Sequence, residues 1–444
     1  MSLKTAIIGG GISGLASALR IAGRGHRVTL FEGEDVLGGL GTTFSWRGYE
    51  LERFYHCILP TDTELVALIR ELGLGSELQW KRTHMGFMYQ RRVYPLDGAL
   101  DLMRFSPLTV RERLRLGVMG LRTRLRGLDP ALDGVAVGDW VRAQVGERVF
   151  QILWRPLLEA KIGDQYPGIP ALWLSSRMSR EKSSAAPETK GCLTGGYRTL
   201  IDAFERRLRA LGVAIRLRTR VRALEPRGDA IALRLEDDTL EPWDAVVVTS
   251  PLPQFQRMSE GLRLPPALAR LQVDYQGVLS SIVVTDRPLT SYYWMPIVDS
   301  GATAQGLIAM SNLVPPERAG GMHVNYLMNY THRNGALWAE SEDRIRARHR
   351  ADLAALFPGA EHHIVDHVLF RAPFVEPIWT LHYSRLRPPT SVIPGRLYLA
   401  CTAQVYPNIN SWNSCCQVVS RMMAEFDSET AAAGVSAEPR HATA

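Results

Sequence analysis

Gly9-Gly10-Gly11-Ile12-Ser13-Gly14 has the residue types and spacing that cradle a pyrophosphate. Gly9 permits a tight turn, Gly11 lets backbone approach phosphate oxygens, and Gly14 lets a helix lie close on a strand. A helix entered through Ile12 and Ser13 turns its free N–H groups and the positive end of its dipole toward the anion. Glu32, with Gly33 behind it, lies 18 residues beyond Gly14. A carboxylate there accepts hydrogen bonds from ribose hydroxyls and repels a 2′-phosphate. The chemistry is recognition of a dinucleotide.

Such residues work only when a β–turn–α–β unit holds them. Residues 5–8 read as an apolar strand, 15–22 have helical spacing of small and apolar residues, and 27–31 read as a second strand ending at Glu32. Beyond this unit the pattern predicts a helix over 62–74, a hairpin at 86–89 and 92–94, and helix over 100–126 broken near Pro107. Helices at 137–145 and 149–158 follow, then a loop over 180–191 containing Lys182-Ser-Ser-Ala-Ala-Pro187. Gly195-Gly196-Tyr197 opens a helix over 199–211, stopped by Gly212 and followed by strands at 213–221, 231–236 and 245–248. Strand-like runs return at 278–284, 306–310 and 323–329; a helix at 341–356 precedes a strand at 396–400 and a helix at 413–425. Residues 427–444 have little to bury and read as a disordered tail.

Composition bounds the partners. The chain has 444 residues and a net charge of +7, carried almost wholly by arginine, since there are five lysines. A basic surface favours anionic substrates such as nucleotide sugars or lipid phosphates, or an anionic membrane face; no nucleic acid partner is expected. Five cysteines without a CxxC spacing (Cys57, Cys192, Cys401, Cys415 and Cys416) argue against a disulfide framework and against a metal site. They suit a reducing compartment, with cytoplasm as the expectation. No apolar run reaches the roughly 18 residues that span a bilayer. The apolar stretch 6–19 carries glycines and is followed by Glu32, so no cleaved leader is expected. One segment keeps a membrane in view: Leu114, Val118, Leu121 and Leu125 recur at helical spacing among six arginines between Arg111 and Arg126. It reads either as a helix lying on the inner membrane face or, as the favoured expectation, as a helix with its apolar stripe in the core.

Further along, Gly38-Gly39-Leu40-Gly41-Thr42 resembles the double-glycine motif of flavoproteins in the amine oxidase, protoporphyrinogen oxidase and phytoene desaturase superfamily. Leu40 stands where those proteins usually carry arginine. Gly195 to Leu200 resembles their entry to a returning nucleotide-domain helix, and Arg220-Val221-Arg222 the strand whose backbone meets adenine. Asp244-Ala-Val-Val-Val-Thr249-Ser-Pro251 resembles another of their strands, and Arg396-Leu-Tyr-Leu-Ala-Cys-Thr402 the closing segment that reaches the flavin. The usual closing aspartate is replaced around Cys401-Thr402, where Thr402 keeps one hydrogen bond and no charge. The branch with Ala400 to Pro407 looks similar to protoporphyrinogen-oxidase-like proteins of glycan and polyisoprenoid biosynthesis.

This resemblance implies a glutathione-reductase-like α/β fold. A Rossmann-like FAD-binding domain with a central parallel sheet would comprise 1–60, 192–255 and 392–426. An interleaved α+β substrate domain would comprise 61–191 and 256–391. It implies FAD as cofactor and hydride transfer to flavin N5 from a small or lipid- or sugar-linked biosynthetic substrate, with an electron acceptor left open. Asn410, Trp412 and Asn413 are candidates for the flavin edge at a helix N-terminus, although Asn408 and Asn410 equally read as turn residues.

His56 is a candidate acid/base or a structural histidine. Lys161, in Pro156-Leu-Leu-Glu-Ala-Lys-Ile-Gly163, is a candidate anion or flavin contact or a solvated helix-end lysine. Tyr292, Tyr293, Trp294 and Tyr326 form either an aromatic wall over the flavin or part of the core. Two alternatives stand beside the oxidoreductase: a non-redox enzyme similar to UDP-galactopyranose mutase, and a non-catalytic binding protein on the same fold.

Overall fold

The computed structural model describes residues 2–180, 188–298 and 301–434. Its central sheet has six strands in the order Ser391–Ile393, Leu397–Leu399, Ala245–Val248, Lys4–Ile8, Arg27–Phe31, Ala214–Arg216. The last five run parallel and the first pairs antiparallel. Ala245–Val248 is buried throughout, as a strand covered on both faces must be, and this explains its unbroken Ala-Val-Val-Val. Helix Ile12–Gly23 packs between helices Tyr197–Ala210 and Trp412–Ala432. The α/β fold with its central, mostly parallel sheet is the one the sequence predicts.

A second sheet is wholly antiparallel, in the order Trp294–Pro296, Gly306–Ala309, His323–His332, Asp274–Thr285, Ile364–Ile378. Its longest strand, Ile364–Ile378, has no counterpart in the sequence reading. Asp366, His367, Arg371 and Glu376 break the apolar alternation, and Pro373 and Pro377 argue locally against a strand. Pairing with Asp274–Thr285 overrides both signals, with a register shift at the proline-bearing end.

Other boundaries move for physical reasons. The strand predicted over 213–221 splits into Ala214–Arg216 in the central sheet and Val221–Arg227 in a separate three-stranded sheet. Arg218, at φ 50°, sits in the turn between them. Of the predicted loop over 180–191, Glu188–Leu193 is a strand paired with Leu78–Thr83; residues 181–187 lie outside the described residues. The closing helix runs over Trp412–Ala432 rather than 413–425, burying Phe426 and Thr430, so 427–432 are not a disordered tail; 435–444 lie outside the described residues.

The helical stretch predicted over 100–126 is Ala99–Arg104 and Val110–Arg126, the second started by a Thr109–Glu112 capping box. Here the favoured expectation fails. Leu116, Met119 and Thr123 face the core, while Leu114, Val118, Leu121 and Leu125 face solvent. Among the described residues no helix is long and apolar enough to cross a membrane.

Candidate active site

The glycine turn is built for close approach. Gly9 has φ 104°, and a Cβ on Gly14 would lie 1.8 Å from the Gly9 carbonyl oxygen. Thr249 supports the turn from below, its hydroxyl donating to the Ile8 carbonyl at 2.9 Å. Above, Gly38 N–H donates to the Gly10 carbonyl at 2.9 Å, drawing the two glycine turns together. A Cβ on Gly39 would lie 3.3 Å from Gly11 Cα. The seam between Gly11 and Gly39 thus presents backbone and no side chain. At its end helix Ile12–Gly23 begins without a side-chain cap and without an acid in its first turn. An anion is the natural acceptor for those N–H groups. The pyrophosphate of a dinucleotide fits this cradle.

Glu32 closes one end. Its Oε2 accepts from Gly10 N–H at 2.6 Å and its Oε1 from Glu34 N–H at 2.9 Å. Gly33 lies beside the Arg220 guanidinium, which pairs with Glu34 at 3.2 Å, and Val221 opens the neighbouring strand.

At the other end, Trp412 packs against Gly41, and Tyr197 meets Trp412 edge-on at 4.5 Å between ring centroids. Leu40 packs against the apolar cluster that includes Tyr293 and Tyr326. Ser13 is buried beside the Cys415 thiol, which donates to Asn410 Oδ1 at 3.7 Å. Thr42 is buried, and its carbonyl accepts from Arg53 N–H. The Thr402 hydroxyl donates to the Tyr275 hydroxyl at 3.3 Å. Burial pushes the Cys401 thiol up to about 12, which keeps it protonated and unreactive.

Two asparagines expected at the flavin edge are engaged elsewhere. Asn410 Nδ2 donates to the Val375 carbonyl at 2.5 Å. Asn413 Oδ1 accepts from Leu65 N–H at 3.1 Å, so that side chain points at helix Thr63–Glu71.

The three candidate catalytic residues fall into two groups. His56 stands against Tyr197 (centroids 4.7 Å) and Trp412 (6.0 Å), with Nδ1 at 2.9 Å from the Phe54 carbonyl and 3.6 Å from Glu52. A carbonyl only accepts, so Nδ1–H donates to it and Nε2 is left for another partner.

Lys161 is not a solvated helix end. Its Nζ lies 3.2 Å from Glu376 Oε2 and 3.9 Å from the Tyr330 ring centroid. Tyr330 and Tyr55 share a hydroxyl contact at 3.3 Å. Tyr293 is buried beside Cys57, and Lys190 stands 5.6 Å from its ring centroid. Burial raises the Tyr55, Tyr293 and Tyr330 hydroxyls, which stay neutral. Burial also raises the Cys57 thiol, with Lys190 opposing it. Tyr326 joins this wall, donating to the Glu52 carbonyl at 2.8 Å, while Tyr292 and Trp294 are half-buried.

Sequence reading missed Cys57, Lys190, Tyr330 and Glu376 as site residues. Tyr55 and Cys57 flank His56, and an extended chain turns alternate side chains to opposite sides. That signal was available. Tyr330 and Glu376 come from two strands of the antiparallel sheet, and nothing local marks them.

Comparison with known proteins adds four findings. The model of the family described as flavin containing amine oxidoreductase matches residues 12–407. The 15-cis-phytoene desaturase of Capsicum annuum is 24% identical over 339 residues, covering 66% of this chain and 56% of that protein. Coproporphyrinogen III oxidase of Mycobacterium tuberculosis is 29% identical over 292 residues, covering 58% of this chain and 60% of that protein. The chain thus spans less than two thirds of either relative's length. Among solved structures, reduced UDP-galactopyranose mutase shares the fold, with a TM-score of 0.76 and 16% identity over 99% of this chain and 100% of that one. The family points to FAD as the cofactor.

Proposed function

The chain belongs to the flavin containing amine oxidoreductase family, and from that premise we propose that it is an FAD-dependent oxidoreductase drawing hydride from a small, lipid-linked or sugar-linked biosynthetic substrate. The observation that carries this reading is the side-chain-free seam between Gly11 and Gly39, one residue from the aromatic wall that Leu40 joins. Gly9, Gly11 and Gly14, with the N–H groups of Ile12 and Ser13, would hold the pyrophosphate. Glu32 and Gly33 would hold the ribose, and the Val221 backbone the adenine. Gly38, Gly39, Gly41, Thr42 and Trp412 would hold the flavin half. Bound FAD supplies an acceptor for an electron pair.

The chain's own side chains supply position and dryness. Lys161 would take an anionic or polar group of the substrate, oriented by Glu376. Tyr55, Tyr293 and Tyr330 would pack its apolar part and exclude water. His56, set against Tyr197 and Trp412, would exchange a proton with the substrate.

Anaerobic titration of the FAD-loaded protein with isoprenoid-linked, sugar-linked and small cyclic substrates tests the reading. One class should bleach the visible band, and Lys161→Met should raise the concentration needed. Turnover that requires prior reduction and transfers no net electrons would move the assignment to mutase-like chemistry. Retained FAD with no bleaching by any class would contradict an oxidoreductase of these substrates.

A further inference from the structure

The helix Val110–Arg126 is amphipathic with its apolar stripe turned outward. Val110, Leu114, Val118, Leu121 and Leu125 recur every three or four residues, so they share one face. All five are exposed, Leu114 at 54%, Leu121 at 57% and Leu125 at 77%. The opposite face, through Leu116, Met119 and Thr123, already packs into the protein. Leu100 on the preceding short helix and Leu128 after the C-terminus are exposed as well. A soluble surface rarely leaves so many large aliphatic side chains aligned.

Charge identifies what covers the stripe. At 100° per residue, Arg111, Arg115, Arg122 and Arg126 fall on one flank of the leucines and Arg124 on the other. Among the described residues no carboxylate pairs with any of these five. Arg113 is tied instead to the Met103 and Leu108 carbonyls. The helix's one acid, Glu112, is held by Thr109 and Arg148. Covering the stripe with a second copy about a twofold axis would press these arginines against their own images, with no acid to offset them. A plane of anionic headgroups over an apolar layer satisfies both features, the leucines entering the acyl boundary and the arginines reaching up to phosphates.

We infer that Val110–Arg126 docks the protein peripherally on an anionic phospholipid bilayer. The placement gives docking a use. The helix packs on helix Ala171–Arg180, whose Ser176 bonds Asn408. One helix layer therefore separates the lipid-facing stripe from Asn408 and the segment that leads into helix Trp412–Ala432.

Co-sedimentation of the FAD-loaded protein with phosphatidylglycerol/phosphatidylcholine vesicles, against phosphatidylcholine alone, tests this inference. Binding should require the anionic lipid and should fall at about 1 M salt, where the screening length is roughly 3 Å. The pair Leu121→Glu with Leu125→Glu should abolish sedimentation. Arg122→Gln with Arg126→Gln should weaken it roughly fivefold for each arginine. All four positions are exposed, so melting temperature and visible spectrum should match wild type. Equal partition to both vesicle types, or leucine variants that bind like wild type, would overturn the inference. So would a lipid-free dimer that the leucine variants split, which would assign the stripe to a second copy.

Discussion

Trp412 fills the space where a side chain on Gly41 would project: a Cβ there would come within 2.3 Å of Trp412 Cζ2. The contact joins the second glycine turn to the first residue of the closing helix. Gly41→Ala must therefore push Trp412 and its partners Tyr197 and His56. Overpacking of that kind costs about 1–3 kcal/mol. The expected outcome is a lower melting temperature together with faster FAD release; an unchanged release rate would place the contact outside the cofactor site.

Gly14→Ala should be far worse, since its neighbour is a backbone carbonyl that cannot rotate away. Loss of FAD from whatever folds is expected. Gly23→Ala, in the same helix with nothing within 4 Å, is the control and should retain FAD and wild-type stability or better. Equal behaviour of the two variants would contradict the close-approach argument.

Lys161 and Glu376 form a buried pair, with side chains 19% and 4% exposed. Removing the lysine alone leaves a carboxylate without its cation. Lys161→Met should destabilise by about 3 kcal/mol, and adding Glu376→Gln should recover much of it. Denaturant melts of the four proteins measure the coupling; strictly additive effects would show that the pair does not act as one.

Burial lowers His349 to about 4 and His367 to about 3. His349 is held neutral between the Ser281 hydroxyl (2.6 Å) and Asn329 Oδ1 (2.7 Å). Both folded values lie below the unfolded one near 6.5, so the unfolded chain binds more protons as pH falls. Stability is whole above pH 6.5 and is lost as pH drops toward 4 and then 3. His349 alone accounts for on the order of 3 kcal/mol. Melting temperatures from pH 7 to pH 4 should fall less steeply in His349→Gln; parallel curves would remove His349 as the cause.

What sequence made legible follows the range of the interactions. The glycine turn and Glu32 lie within one β–α–β unit, and the strands of the hairpin Gly86–Tyr89/Arg92–Pro95 are joined by a two-residue turn, so each was readable. Ile364–Ile378 was not, because its pairing partner lies far off in the chain and its prolines and charges mislead locally. Lys161 was visible as a residue, while its partners Glu376 and Tyr330 arrive only through the antiparallel sheet. Asn410 and Asn413 were expected at the flavin edge, but their side chains turn to Val375 and Leu65. For Val110–Arg126, helical spacing told which residues share a face and could not tell which face meets the core.

The most direct test of the central claim is the visible absorption spectrum of the purified protein, followed by chromatography of what heat releases. A flavin band with free FAD in the supernatant is the result that the Gly11–Gly39 seam predicts. A colourless protein that stays colourless after incubation with FAD would contradict it and would leave a binding protein on the same fold.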